Sequence, residues 1–179
     1  MLAVESTAVV IIDVQERLMR VMHERERLIA ELQRLIAGVQ ALGLPLIMTE
    51  QNPGGLGRTI PEVAQLLPDC QPIAKLSFSC LGEGPFMQRL TAMARRQLLL
   101  AGIESHVCVY QTAADLVAAG YEVQVVADGV SSRTAQNREI GLERARAVGA
   151  GITSVETALF ELLRVAEGDV FREISRIVR

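Results

Sequence analysis

The stretch "RQLLLAGIESHVCVYQTAADLVAAG", Arg96 to Gly120, decides how this chain folds. Its first part, "LLLAGI", is apolar at successive rather than alternate positions, the pattern of a strand covered on both faces, as in a parallel sheet. The continuation from His106 has helical spacing and stops at Gly120, a residue that readily adopts the left-handed conformation closing a helix. A strand leading directly into a helix is half of a βαβ unit, and Cys108 sits at the hinge.

The same pairing recurs on either side. "TAVVIID" reads as a first strand, and "ERERLIAELQRLIAGVQALG" places Leu28, Leu32, Leu35, Ile36, Val39 and Leu42 on one face of a helix closed by Gly43. "LPLIMTE" is a second strand, residues 51–60 ("QNPGGLGRTI") a Gly-rich loop, "QPIAKLSF" a third strand and "PFMQRLTAMA" a helix. After the central pair come a strand "YEVQVVAD", a helix "AQNREIGLERARAVG" closed by Gly149, a short strand "GITS", and helical segments around Ala158 and Ile174. No linker, charge block or repeat interrupts the rhythm. The expectation is one domain over residues 1–179, a Rossmann-like three-layer α/β/α fold with six strands in a mainly parallel sheet.

Half of the 179 residues are hydrophobic and 22% are charged, which excludes a disordered chain, and the 3% aromatic share gives little support to nucleic-acid binding by base stacking. A net charge of -3 offers no basic footprint for phosphate backbones or anionic membranes. No uncharged run approaches the ~20 residues of a membrane span. "MLAVESTAVVIIDVQ" lacks a basic n-region and a small-residue cleavage site, so it reads as strand rather than signal peptide. Cys70, Cys80 and Cys108 are an odd set without paired spacing, pointing to free thiols in a reducing, cytoplasmic setting.

Open parallel sheets bind ligands outside the carboxyl ends of their strands, where strand order reverses. Asp13 closes strand one, Lys75 ends strand three, and Cys108 opens the helix after strand four. A thiol attacks a carbonyl as thiolate, which a helix start and a neighbouring lysine both favour. A carboxylate such as Asp13 can take the thiol proton and return it to a leaving amine, while amides at the helix start hold the oxyanion.

Each residue also has a plainer reading. Cys108 can be a buried core thiol, Asp13 a turn cap and Lys75 a surface lysine. His106, two residues before Cys108, does not share its helix face and reads as a rim or packing residue, and His23 reads as solvated. Cys80 reads as core or pocket lining and Cys70 as a loop thiol. The histidines form no zinc-spaced cluster, and "GGLGR" lacks the phosphate-loop pattern, so neither metal nor nucleotide cofactor is expected.

Together, "VVIIDVQ", "IAKLSFSC" and "GIESHVCVYQTA" resemble the isochorismatase-like cysteine hydrolases over almost the whole chain. "MTEQNPGGLGRTIPEV" and "VADGVSSRT" are similar to the branch of isochorismatase domain-containing proteins. The resemblance implies a six-stranded parallel sheet and a triad of Asp13, Lys75 and Cys108 that forms a thioester with amide substrates. It also implies a cis peptide at Ile103–Glu104 and an oxyanion site made by the amides of Glu104 and Cys108. Unlike nicotinamidases, this chain has Glu50, Gln51 and Asn52 and no histidine after strand two, which argues against zinc and against nicotinamide.

The resulting expectation is a metal-independent cysteine hydrolase of a small amide, carbamoyl or acyl compound, with Gln15, Gln51 and Tyr110 as pocket candidates or, equally, turn and helix-surface residues. The alternatives are a silent binding or scaffold protein and an isochorismate-type ether hydrolase. A homo-oligomer is expected from amphipathic helices and from "ALFELLRVAEGDVFREISRIV", apolar on more than one face at Leu159, Phe160, Leu163, Phe171, Ile174 and Ile177; packing within one subunit also accounts for these.

Overall fold

The computed structural model describes residues 1–179. Its strands are β1 (Thr7–Ile12), β2 (Leu46–Gln51), β3 (Ile73–Lys75), β4 (Gln97–Ile103), β5 (Glu122–Ser131) and β6 (Gly151–Thr153). They form one sheet in the order β3-β2-β1-β4-β5-β6, and every neighbouring pair is parallel. The chain winds outward from β1 to β3, then returns to the other side of β1 at β4. The switch point therefore lies between the carboxyl ends of β1 and β4.

All six residues of β1 are buried, because the period-two alternation of a strand feeds a different core on each face. Val9 and Ile11 belong to one apolar cluster with helices α2 (Arg25–Ala41), α8 (Val155–Leu163) and α9 (Gly168–Ile177). Ala8, Val10 and Ile12 belong to the other, with α5 (Gly84–Met93), α6 (Tyr110–Ala118) and α7 (Ala135–Ala147). Leu159 and Ile174 of the C-terminal segment are fully buried, and Leu163 and Ile177 pack partly buried against the same core, so core packing explains most of that segment's apolar residues. Phe160 remains exposed.

The remaining helices are short: α1 (Glu16–Met19), α3 (Pro53–Leu56) and α4 (Pro61–Ala64). Residues 51–60, expected as plain loop, thus contain a helical turn, and Thr59 bridges back to Gln15. β5 extends three residues beyond the expected strand because its register against β4 slips between Leu100 and Gly102. The Arg138 guanidinium fills the slip, donating to the carbonyls of Ala127 and Val130.

Gly102 shows how closely the central strands approach. It pairs with Ile12 at φ +116, and a Cβ there would stand 2.1 Å from the Ile12 carbonyl oxygen. Backbone on backbone cannot relax as a side-chain tip can. Gly102→Ala is expected to cost about 4 kcal/mol or more, the range reserved for exceptional core changes, or to prevent folding. Chemical denaturation checks this; a loss under about 1 kcal/mol would show that β1 and β4 can part without penalty.

Candidate active site

The three residues singled out by their strand ends converge at the switch point. Asp13 follows β1 with a left-handed φ of 53 and is fully buried. Its Oδ1 accepts from Thr49 Oγ1 at 2.8 Å, and its Oδ2 lies 2.7 Å from Lys75 Nζ, with both charged side chains 0% exposed. The Lys75 ammonium directs its hydrogens at Gln51 Oε1 (2.6 Å), Phe78 O (3.0 Å) and Ser77 O (3.2 Å). The contact with Asp13 is therefore a direct ion pair, and Oδ2 receives no hydrogen bond in return. Oδ2 faces the ammonium and, as a carboxylate oxygen, has a further lone pair able to accept a proton.

Cys108 is 7% exposed and the thiol reaches the same carboxylate. It stands in a wide turn, Ser105–Val109, in which the Glu104 carbonyl accepts from the amides of Val107 and Val109, and Tyr110 N–H reaches back five residues to Ser105. The Cys108 amide, between those two donors, does not bond the Glu104 carbonyl. The peptide Ile103–Glu104 is cis.

The thiol does not behave as the helix-start argument anticipates. Burial and the charge of Asp13 push Cys108 up to about 12, against a smaller downward pull from Lys75. The reason is geometric: the thiol is buried beside the Asp13 carboxylate, and Lys75 is already committed to that carboxylate. For Lys75, burial works against the ammonium, but the charges of Asp13 and then Cys108 outweigh it, and its pKa ends above the ordinary value. The Asp13–Lys75 ion pair and the protonated thiol together carry no net charge. Moving the thiol proton to Asp13 relocates the negative charge beside the same cation without creating new buried charge.

Cys80 is fully buried, its amide accepted by Thr112 Oγ1 at 3.0 Å one helical turn beyond Cys108, and burial pushes its thiol up to about 11. An unfolded thiol ionises near 8.5. Between that value and the raised folded values, the unfolded chain releases protons that the folded chain keeps, so stability falls as pH rises, by about 1.4 kcal/mol per pH unit for each thiol. Below about pH 8 the two thiols contribute no pH dependence. Urea midpoints should therefore drop between about pH 9 and 11, with a shallower drop in Cys80→Ala; equal slopes in the two proteins would contradict a raised Cys80.

The pocket candidates divide. Gln15 is fully buried: its Nε2 donates to the carbonyls of Gln51 (2.9 Å) and Gly57 (2.7 Å), and its Oε1 accepts from Gln51 N–H (2.7 Å). It ties loops together and has no hydrogen left for a substrate. Gln51 orients Lys75 and donates to Leu76 O at 2.8 Å. Tyr110 is engaged by Arg144 of α7, which donates to its hydroxyl at 2.7 Å and stacks 4.5 Å from its ring centre, rather than by the acid, amine or thiol. Glu50 is a buried carboxylate consumed by Thr59 N–H (2.7 Å), Thr59 Oγ1 (2.9 Å) and Arg58 (3.1 Å). No three His, Cys, Asp or Glu side chains are grouped to hold a metal ion. His23 is half-buried, and its amide donates to Ser132 O at 2.9 Å.

Two supporting groups escaped the sequence reading. Thr49 orients Asp13, and its only signal was a polar residue interrupting the apolar run of β2. Glu83 accepts from Ser77 Oγ (2.7 Å) and from the amides of Leu76 (2.9 Å) and Ser77 (3.2 Å), bonds that hold its carboxyl below the usual range. It thereby closes the loop that aims two carbonyls at Lys75. A cleft of about 220 Å³ lined by Asn52, Pro53, Ala74, Lys75, Leu76 and Glu83 adjoins this loop. A larger cavity of about 330 Å³ lies between Leu90 and Tyr121, at the amino ends of the strands, away from the acid, amine and thiol.

Fold and site together define a doubly wound α/β protein of the hydrolase class, with acid, amine and thiol gathered at its switch point. Residues 7–157 match the Isochorismatase domain, and the chain belongs to the isochorismatase family. It is 38% identical over 178 residues to the secreted isochorismatase effector Isc1 of Phytophthora sojae, covering 97% of this chain and 85% of that protein. It is 34% identical to isochorismatase domain-containing protein 2 of Xenopus laevis, covering 97% and 83%, which supports that branch. Among solved structures, the MAR1 ribonuclease of Caenorhabditis elegans superposes with a TM-score of 0.92 at 32% identity, covering 99% of this chain and 91% of that one. The YcaC gene product of Escherichia coli, an octameric hydrolase of unknown specificity, superposes with a TM-score of 0.92 at 24% identity, covering 98% and 88%.

Proposed function

We propose that this family member is a cysteine hydrolase that cleaves a small amide, carbamoyl or related acyl compound through a thioester on Cys108. The observation that carries the reading is the buried Asp13–Lys75 pair, 2.7 Å apart, with the protonated Cys108 thiol beside the same carboxylate. As the sulfur attacks the carbonyl carbon, its proton passes to Asp13 and the carbonyl electrons go to oxygen, held by the amides of Glu104 and Cys108. Collapse of this intermediate expels the amine, which takes the proton from Asp13. Water then attacks the thioester with Asp13 as base, releasing the acid and restoring the thiol. Lys75 keeps the charge balanced throughout.

Because only Cys108 of the three reaches solvent, the reading favours a compact substrate presented at the sulfur. Side-chain groups supply both nucleophile and proton transfer, so turnover is expected to survive exhaustive chelation. Activity lost to a chelator and restored by zinc would overturn that. Ammonia release from a panel of small amides tests the hydrolase, pyruvate release from isochorismate tests ether cleavage, and an RNA arm tests the activity named for the nematode relative. Ammonia release that ceases in Cys108→Ala is the expected result; release of ammonia from none of the amides would sink the amidase reading.

We further propose a homo-oligomer in a reducing compartment. Leu76 and Phe78 are 76% and 52% exposed on the loop bearing the Lys75 carbonyls, an apolar surface suited to a second copy, and the E. coli neighbour is octameric. The three free cysteines favour the reducing setting. Light scattering should give a mass well above 19.5 kDa, and a monomer at every concentration would refute the assembly.

A further inference from the structure

The segment Val130–Thr134, "VSSRT", lies alongside the turn that carries Cys108 and meets it residue by residue. Ser131 pairs with Ile103 as the last rung between β4 and β5. Ser132 Oγ, fully buried, lies 2.7 Å from Ser105 Oγ and 3.0 Å from His106 Nδ1. Arg133 donates to Glu104 Oε2 from its amide and from Nε, both at 3.1 Å. Behind the same turn, α7 presents Gly141, where a Cβ would come within 2.4 Å of the Ser105 carbonyl carbon.

The hydroxyl chain has a direction. Ser105 Oγ donates to the Arg138 carbonyl at 3.3 Å, and a carbonyl can only accept. With that hydrogen so used, Ser105 receives its other bond from Ser132, and Ser132 in turn receives from His106. This direction of the chain corresponds to the Nδ1–H tautomer of His106. Every link ends on the turn whose amides face the proposed oxyanion, and none touches a reacting atom.

We propose that Ser132, reached through His106 and Ser105, is a positioning residue that holds the Glu104–Cys108 turn in the geometry required for oxyanion stabilisation. This inference rests on the cysteine-hydrolase reading given above. Acylation builds a tetrahedral oxyanion and should need the clasp, whereas alkylation of the same sulfur builds none and should not.

The experiment compares acylation of Cys108 by p-nitrophenyl acetate, which forms the thioester and releases p-nitrophenol, with its alkylation by iodoacetamide, both located by peptide mapping. Ser132→Ala should slow acylation on the order of tenfold or more while changing alkylation less than about threefold. His106→Leu should behave like Ser132→Ala. His106→Asn, which keeps a donor where Nδ1 stood, should restore most of the rate, and His106→Leu added to Ser132→Ala should cost little more because both break one chain. Nitrogen-edited NMR of the imidazole should show Nδ1–H in the parent protein and a shift toward Nε2–H in Ser132→Ala; this readout needs no substrate and also shows that the variant is folded. Equal acylation in parent and Ser132→Ala, or an Nε2–H tautomer in the parent, overturns the clasp. A parent protein not acylated at Cys108 overturns the cysteine-hydrolase reading instead, and the tautomer then still decides the hydrogen-bond chain.

Discussion

Cys108→Ala is expected to remain folded and to lose turnover on the order of 10⁵-fold or more, as when a nucleophile acting as part of a unit is removed. The substitution deletes one buried sulfur from the edge of an apolar cluster, so its stability cost should stay near 1 kcal/mol. Nothing else in the site can take over: Cys80 is fully buried with its thiol raised to about 11, and Cys70 lies on the other cluster. Thioester formation from an activated ester, read by intact mass, should vanish with the sulfur. Retained activity, or an acyl group mapped to Cys70, would make Cys108 a core thiol after all. Indiscriminate alkylation is a poorer probe, because burial raises both the Cys108 and the Cys70 thiols and Cys108 is 7% exposed while Cys70 is half-buried.

Asp13→Asn separates charge from shape. Asparagine keeps the acceptor for Thr49 but leaves the Lys75 ammonium buried without a counter-ion, at a cost of about 3–5 kcal/mol. It also cannot take the thiol proton, so the rate should fall by a further ~10²–10⁴-fold beyond any loss from unfolding. The sign of the pH dependence provides a second check. In the parent protein Lys75 has a raised pKa, so its contribution to stability is complete below the unfolded value and is lost as pH rises through the folded one. Without Asp13, and with the Cys108 and Cys80 thiols still protonated, burial dominates at Lys75 and lowers its pKa, the folded state binds fewer protons than the unfolded, and stability should rise with pH. Lys75→Met should be destabilising for the converse reason, a buried carboxylate without its cation. The double variant, lacking both charges, should regain much of the stability and none of the activity. A double variant as unstable as the sum of the singles would mean the ion pair is not the unit drawn here.

The strands, helices and strand-end position of all three candidate residues were legible from composition and period, because a residue buried on both faces and a helix stopped by glycine leave local marks. The continuous apolar run of β4 and the glycines at 43, 120 and 149 are such marks, and a parallel sheet then places Asp13, Lys75 and Cys108 at its carboxyl edge whatever their separation in the chain. Side-chain destinations were not legible. Gln15 looked available for a ligand, yet the loop at residues 51–60 consumes its amide; Tyr110 looked like a pocket residue, yet α7 brings Arg144 onto its ring.

The protonation state of Cys108 depended on the same kind of information. Sequence by itself determined the element order, the parallel sheet and which residue types stand at its active edge, since burial period and turn chemistry are local properties. Only the tertiary structure decided that Lys75 is paired with Asp13 before it can lower the thiol, that Thr49 and Glu83 support that pair, and that "VSSRT" backs the cysteine turn. Glu83 lies only six residues from Ser77, but the other outcomes rest on distances between groups 27 residues or more apart in the chain, and in a low-dielectric interior such distances set both the hydrogen-bond partners and the charges.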